Sequence, residues 1–254
     1  MAIKLYGSWI STFARKVALG LELKGLAYEP IDALTPEMHD ELLRVNPRAE
    51  VPVLVDDDIT VVNSSDILQY LEWRYPAPAL YPRDLGERVA ARALERLHDH
   101  RFDPIVVDCT LWQWANRDDQ PPPGLREAGQ RDLERVLTRL ESELAARANP
   151  WPFGAPGVVE CAWFANLIAA RPLGFAIDEA RFPLVLGWLR AMRAHPVFAN
   201  DAKRTAAVVK AAQGAPRRRR PIFWSGDRIE WLFARGFHSW FASEIEAGLV
   251  RLPE

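Results

Sequence analysis

The sequence predicts an α/β domain followed by an all-helical one, and three observations carry that prediction. Residues 3–75 alternate strand-like and helix-like segments in the order β-α-β-α-β-β-α. A proline-rich stretch at 76–86 (Pro-Ala-Pro-Ala-Leu-Tyr-Pro-Arg-Asp-Leu-Gly) follows and reads as a linker. Everything beyond it has helical texture. The expected domains are therefore residues 1–76 and residues 86–254, the second carrying an extra C-terminal helix.

Residues 3–6 read as a short strand that Gly7 and Ser8 end. Phe13, Val17, Leu19, Leu21 and Leu23 then predict a helix from Thr12 to Lys24, with Gly25 as its C′ residue. Residues 27–31 read as a second strand, and Pro30 suits it to a sheet edge. Thr35, followed by Pro36, predicts a helix start, and that helix fades by Asn46-Pro47. Residues 52–55 and 59–62 flank Asp56-Asp57-Asp58 and predict a hairpin. Ser64 or Ser65 then caps a helix running to about Trp73. Beyond the linker, helices are expected at about 86–115, 124–147, 158–169, 182–194 and 226–246, with a further helix-like run from Ala206 to Gln213.

Composition excludes several function classes. Of 254 residues, 49% are hydrophobic and 26% charged, as in ordinary globular chains. The net charge of −2 gives no global reason to expect nucleic acid or a membrane as partner. No run reaches the length of a membrane-spanning helix, and the N terminus lacks the pattern of a signal peptide. The two cysteines, Cys109 and Cys161, form no metal-ligand or disulfide pattern, so the expectation is a cytoplasmic protein without a metal. Arg217–Arg220 is a local basic run that reads as a solvated loop or a contact to an acidic surface.

Three constellations could carry chemistry. Ser8, Ser11 and Thr12 lie between the first strand and first helix. A helix N terminus offers unpaired N–H groups and a positive dipole end to an anion, and a hydroxyl can donate to the same anion. The plain alternative is a helix cap. Glu50-Val51-Pro52-Val53 places an X-Pro bond at a strand start, a candidate cis peptide, which would turn the Val51 N–H and C=O towards an added peptide strand. Asn63-Ser64-Ser65-Asp66 opens the third helix and could hold a carboxylate, or simply cap that helix.

Order and spacing bring these pieces together. Leu5-Tyr6-Gly7-Ser8-Trp9-Ile10-Ser11-Thr12-Phe13-Ala14-Arg15-Lys16-Val17, then Asn46-Pro47-Arg48-Ala49-Glu50-Val51-Pro52-Val53-Leu54, then Asn63-Ser64-Ser65-Asp66-Ile67-Leu68-Gln69-Tyr70-Leu71-Glu72-Trp73-Arg74-Tyr75-Pro76 resemble three successive segments of cytosolic glutathione transferases of the serine type. Gly157-Val158-Val159-Glu160 resembles the family's "SxxD" capping box, with Gly for Ser and Glu for Asp. Phe182-Pro183 through Trp188 to His195-Pro196-Val197-Phe198 resembles a later family helix. The likeness covers about residues 1–205.

The resemblance implies a thioredoxin-like domain that binds glutathione, followed by the all-α domain of the glutathione transferase fold. It implies a transferase that activates glutathione as its thiolate for attack on a hydrophobic electrophile. Ether cleavage, dehalogenation and peroxide reduction are related chemistries, and a non-catalytic binding or regulatory subunit is the alternative. Ser11 takes the place of the serine that donates to the glutathione sulfur, with Thr12 and Tyr6 as rivals. Val51, before Pro52, would pair with the cysteinyl backbone, and Ser64 would hold the γ-glutamyl carboxylate. Two departures stand out: Asn63 is neutral where the family carries Glu, Gln or Asp, and Glu50 could repel the glycyl carboxylate unless His39, Arg44 or Arg48 offsets it. Trp9 and Ile10 beside the serine, with Trp112, Trp114 and Phe102 from the first long helix, would line the acceptor pocket. Phe13 stands where some classes carry a cysteine, which argues against thiol transfer. A homodimer is also implied.

Overall fold

Alternation of apolar residues along residues 3–7 builds the centre of the first domain. The structure is a computed structural model that describes residues 3–114, 117–148, 150–211, 222–224 and 226–252, the side chains of Trp114 and Phe223 excepted. Strand β1 (Ile3–Gly7) sends Ile3 and Leu5 into the main core and Tyr6 to the opposite face, where it meets Ala33, Leu42 and Val53. β1 lies between β2 (Tyr28–Asp32), parallel to it, and β3 (Val53–Asp56), antiparallel; β4 (Ile59–Val62) completes the order β2-β1-β3-β4. Pro30 thus sits on an edge strand, as expected.

Helix α1 (Thr12–Leu23) follows β1, and Gly25 just beyond its end has φ +67°. The segment after Thr35 is a 3-10 turn (Pro36–Met38) leading into α2 (His39–Val45), and the Thr35 side chain makes no cap bond. Helix α3 (Ser64–Arg74) is capped one residue earlier than the sequence suggests. The cap is Asn63, with φ +72°, and its Oδ1 accepts from the Ser65 N–H at 3.1 Å. Asn tolerates that conformation and supplies the cap oxygen itself, which frees both serines.

The helix expected at 86–115 runs without a gap from Leu85 to Cys109, with a π-turn inside it, and is interrupted at Thr110. Helix α4 (Leu85–Leu97) passes through a π-turn (His98–Phe102) into α5 (Asp103–Cys109) and then α6 (Leu111–Trp114). Pro104 is the physical reason for the π-turn: it has no N–H for the carbonyl four residues back, and the Asp103 N–H bonds instead to the His98 carbonyl, five residues back. Helix α7 (Leu125–Ala145) packs against α5. Helix α8 (Val158–Ala170) is buried on nearly every side and forms the middle of the domain. Helix α9 (Pro183–Ala194) is followed by α10 (Pro196–Ala211), which starts ten residues before the helix-like run read from sequence.

The tail also departs from expectation. Instead of one helix at 226–246 there are two, α11 (Gly226–Ala234) and α12 (His238–Glu246), parted at Gly236, whose φ of +83° no helix interior allows. Two-residue strands β5 (Ile222–Phe223) and β6 (Val250–Arg251) pair in parallel across them. Arg228 binds Asp108 at 2.6 Å, Arg117 binds Glu244 at 2.6 Å, and the Trp231 indole donates to Asp132 at 3.1 Å, so the tail is latched to α5 and α7 and to the segment after α6. The run Arg217–Arg220 lies outside the described residues. Cys109 and Cys161 are buried free thiols. Among the described residues no helix is long and apolar enough to cross a membrane.

Candidate functional site

Strand register gathers the three sequence constellations at one end of the sheet. Tyr6 pairs with Val53, and Val53 with Val62. The chain leaving β1 towards Ser11, the chain entering β3 through Val51-Pro52, and the chain leaving β4 into Asn63-Ser64 therefore all emerge at the same end of the sheet.

Ser11 is the N-cap of α1. Its Oγ accepts from the Ala14 N–H at 3.3 Å, and among the described residues no hydrogen bond uses the proton of the Ser11 hydroxyl. The two rival hydroxyls are committed elsewhere. Thr12 Oγ1 donates to Asp103 Oδ1 at 2.6 Å. The Tyr6 ring is buried on the far face of the sheet, and its hydroxyl donates to Glu41 Oε1 at 2.9 Å. Burial first, then the Glu41 carboxylate, raise the Tyr6 pKa. Ser8 contributes its carbonyl to the turn, accepting from the Ser11 N–H at 3.0 Å.

The Val51–Pro52 bond is cis, and β3 begins only at Val53. The N–H and C=O of Val51 enter no ladder and have no hydrogen-bond partner among the described residues. Pro52 is buried beside it. Glu50 does not stand as a bare charge: Arg48 reaches it with Nε at 2.9 Å and Nη2 at 3.3 Å. His39 is exposed at the start of α2. Ser64 is buried at the first position of α3, with its hydroxyl unpaired among the described residues, while Asn63 turns its carbonyl oxygen onto its own helix.

A buried polar network lies behind these positions, and sequence reasoning missed it. Lys16 Nζ contacts Asp99 Oδ2 at 2.6 Å, Glu95 Oε1 at 2.8 Å and Ser65 Oγ at 3.0 Å. Ser65 donates towards Glu95 at 2.9 Å and lies 3.2 Å from Asp99. His98 Nδ1 is 2.8 Å from Asp99, and Asn166 Nδ2 reaches both His98 Nε2 at 3.1 Å and Asp103 Oδ1 at 2.8 Å. Burial would push the Asp99 carboxyl up, but the Lys16 ammonium and the bond from His98 hold it well below the usual carboxylate range. The network joins α1 and the start of α3 in the first domain to α4, the π-turn, α5 and α8 of the second. Its sequence signal was faint: a lysine on the apolar side of α1, and two aspartates four apart.

The aromatic residues expected in an acceptor pocket separate into different surroundings. Ile10 is 49% exposed on the loop before Ser11. Trp9 lies under the Arg204 guanidinium, 4.5 Å from its ring centre, and borders a cavity of about 120 Å³ with Gly7, Ala14, Pro30, Ile31 and Asp32. Trp112 is buried against Trp240 of the tail, ring centres 5.7 Å apart, with the Arg117 guanidinium 5.2 Å from its ring centre. Phe102 packs against Trp163 in the core, ring centres 5.0 Å apart and tilted by 43°. Trp114's side chain lies outside the described residues. Among those residues no group of three or more His, Cys, Asp or Glu side chains is placed to hold a metal.

Comparison with known proteins gives a consistent picture. The sequence model described as "Glutathione S-transferase, N-terminal domain" matches residues 5–79. "Glutathione S-transferase Z1" of Arabidopsis thaliana is 43% identical over 89 residues, which are 34% of this chain and 40% of that protein. "Probable glutathione S-transferase BZ2" of Zea mays is 30% identical over 228 residues, covering 82% of this chain and 93% of the relative. Among solved structures, maleylacetoacetate isomerase of Anaeromyxobacter dehalogenans 2CP-1, with GSH bound in its active site, is 32% identical. The alignment covers 79% of this chain and 94% of that one, with a TM-score of 0.63.

Proposed function

Because the chain belongs to the glutathione S-transferase family, we propose that it binds glutathione at the end of the sheet marked by Val51, Pro52 and Ser64 and activates the thiol with Ser11. It is a glutathione-dependent enzyme. The observation that carries the assignment to Ser11 is the fate of three hydroxyl protons: those of Tyr6 and Thr12 are given to carboxylates, and that of Ser11 is not.

In this reading the glutathione peptide lies against Val51 as an added strand, pairing with its free N–H and C=O. The γ-glutamyl carboxylate meets the Ser64 hydroxyl and the N terminus of α3. The sulfur sits before the N terminus of α1. There the Ser11 hydroxyl donates to it, while the helix end favours its negative charge. Lowering a thiol pKa by about two units takes roughly 2.7 kcal/mol, within reach of one charge-assisted hydrogen bond and a helix end. The thiol proton leaves to solvent. The thiolate electron pair forms the new bond to an electrophilic carbon, and the displaced pair goes to the leaving group or onto the acceptor's own unsaturated system.

We place the acceptor beside Ile10 and Trp9, on the exposed side of the same loop. Arg48 neutralises Glu50 and leaves its remaining donors, with His39, to face the glycyl carboxylate. A homodimer is supported by apolar residues left in water on neighbouring helices: Trp73 on α3, with Leu85 and Val89 on α4. The buried free cysteines suit a reducing, cytoplasmic setting.

Steady-state kinetics with a general aromatic electrophile tests the assignment. Ser11→Ala should lower kcat/KM by about 10²-fold or more, with Tyr6→Phe far milder. Equal losses in the two variants would reject Ser11 as the activating group.

A further inference from the structure

The proton of Thr12 has a destination on the far side of the domain boundary. Thr12 is the first residue of α1, next in sequence to Ser11, and both side chains are half-buried at the same helix start. An unengaged threonine hydroxyl there would present a second donor to an anion in front of the helix. Asp103 prevents this. Its Oδ1 takes the Thr12 hydroxyl at 2.6 Å and the Asn166 amide at 2.8 Å, and the residue is 3% exposed.

The position of Asp103 is itself built by the chain. The π-turn His98–Phe102 ends at Asp103, and Pro104 locks the step that follows. Asp99, four residues earlier, also faces the first domain through Lys16 and Ser65. Asn166 holds Asp103 from behind and leans on His98 Nε2, and His98 Nδ1 lies against Asp99. The carboxylate that receives Thr12 is thus fixed from three sides by α5, α8 and the turn.

We propose that Asp103 is a positioning residue that decides which hydroxyl meets the thiol: by accepting the Thr12 proton it turns Thr12 away and leaves Ser11 as the sole side-chain donor at the start of α1. The inference rests on the assignment of Ser11 and adds to it the residue, in the other domain, that enforces it. The ligand chemistry is that of a thiolate or another soft anion before a helix N terminus, and Asp103 acts on it through Thr12 without touching it.

The test is a cycle of variants read by the pKa of glutathione's thiol when bound, followed by ultraviolet thiolate absorbance across a pH series. In the wild-type background, Ser11→Ala should raise the bound thiol pKa by about two units, and Thr12→Val should change it by less than about half a unit. Asp103→Ala frees Thr12, so in that background Ser11→Ala should cost less than about one unit, and adding Thr12→Val should restore the full loss. Asp103→Asn keeps an acceptor for Thr12 and should keep the full dependence on Ser11. If Ser11→Ala costs the same with and without Asp103, the inference is overturned. If Asp103→Ala does not fold, Thr12→Val alone decides: a shift as large as that of Ser11→Ala overturns it. Loss of the Ser11 dependence in the wild type would instead overturn the parent assignment, so the two failures are distinct.

Discussion

Gly157 lies directly against the carbonyl oxygen of Leu80. A Cβ built on Gly157 would stand 2.3 Å from that oxygen, a distance no real contact allows. The oxygen cannot easily retreat, because it accepts the Val158 N–H at 2.9 Å, while the Leu80 N–H is held by Glu72 at 2.9 Å. Lys24 pins the preceding turn through the carbonyls of Tyr75 and Pro78. This explains why glycine replaces the serine expected at the start of α8: the linker backbone occupies the space a side chain would need. Glu160 still reaches back to the Gly157 N–H at 2.8 Å, so half of the capping box survives. We expect Gly157→Ala to destabilise the protein by roughly 1–3 kcal/mol in urea unfolding. A neutral result would mean the linker is not fixed there.

A second close approach sits between α5 and α7. A Cβ on Gly129 would lie 2.2 Å from Cys109 Sγ. Gly129→Ala should cost about 1–3 kcal/mol in the wild type, and less in a Cys109→Ala background, where the sulfur is gone. Equal costs in the two backgrounds would show that something other than the sulfur limits the approach.

Arg15 and Asp201 tie α1 to α10 with Nη2 2.6 Å and Nε 3.1 Å from Oδ2, at 4% and 0% exposure. Removing one partner strands a buried charge. Asp201→Leu should cost about 3–5 kcal/mol, and adding Arg15→Met to it should recover much of that loss. Denaturant midpoints for the four proteins of the cycle check this, and additive losses would contradict it.

Stability should also fall as pH rises near neutrality. Glu160 is buried with no cation paired to it among the described residues, and burial pushes its carboxyl up to about 7, although the Gly157 N–H and the Trp188 indole act against this. A carboxyl whose pKa is higher folded than unfolded gives stability that is whole below the unfolded value and lost as pH passes through the folded one. The loss should span about pH 4.5 to 7.5 and reach about 3 kcal/mol. Melting curves of wild type and Glu160→Gln across that range should differ in slope, with the variant flatter. Parallel slopes would exclude Glu160 as the cause.

The first domain was legible because its elements are short and punctuated. Gly7, Gly25, the three aspartates that end β3 and open its turn, and the Val51-Pro52 pair each mark a boundary by local chemistry. The cap at Asn63 was one residue off because Ser64 and Ser65 are equally good cap residues in sequence, and the positive φ of Asn63 is decided by how β4 feeds α3. Pro104 and Gly236 were visible breakers inside stretches read as single helices; Gly236 parted one, and Pro104 only shifted the other into a π-turn. The tail strands β5 and β6 are two residues each, too short to leave a periodic signal. Of the proposed site, Ser11, Val51 and Ser64 were named from motifs. The commitment of Thr12 to Asp103, and of Ser65 to Asp99, could not be, because each joins residues of different domains.

Everything proposed about the chemistry turns on one quantity, the pKa of the glutathione thiol when bound to wild type and to Ser11→Ala. Our account predicts that wild type binds glutathione with its thiol ionising about two units below its free value, and that Ser11→Ala binds it with most of that shift gone. A bound thiol with an unshifted pKa, or a shift that survives Ser11→Ala intact, would contradict it.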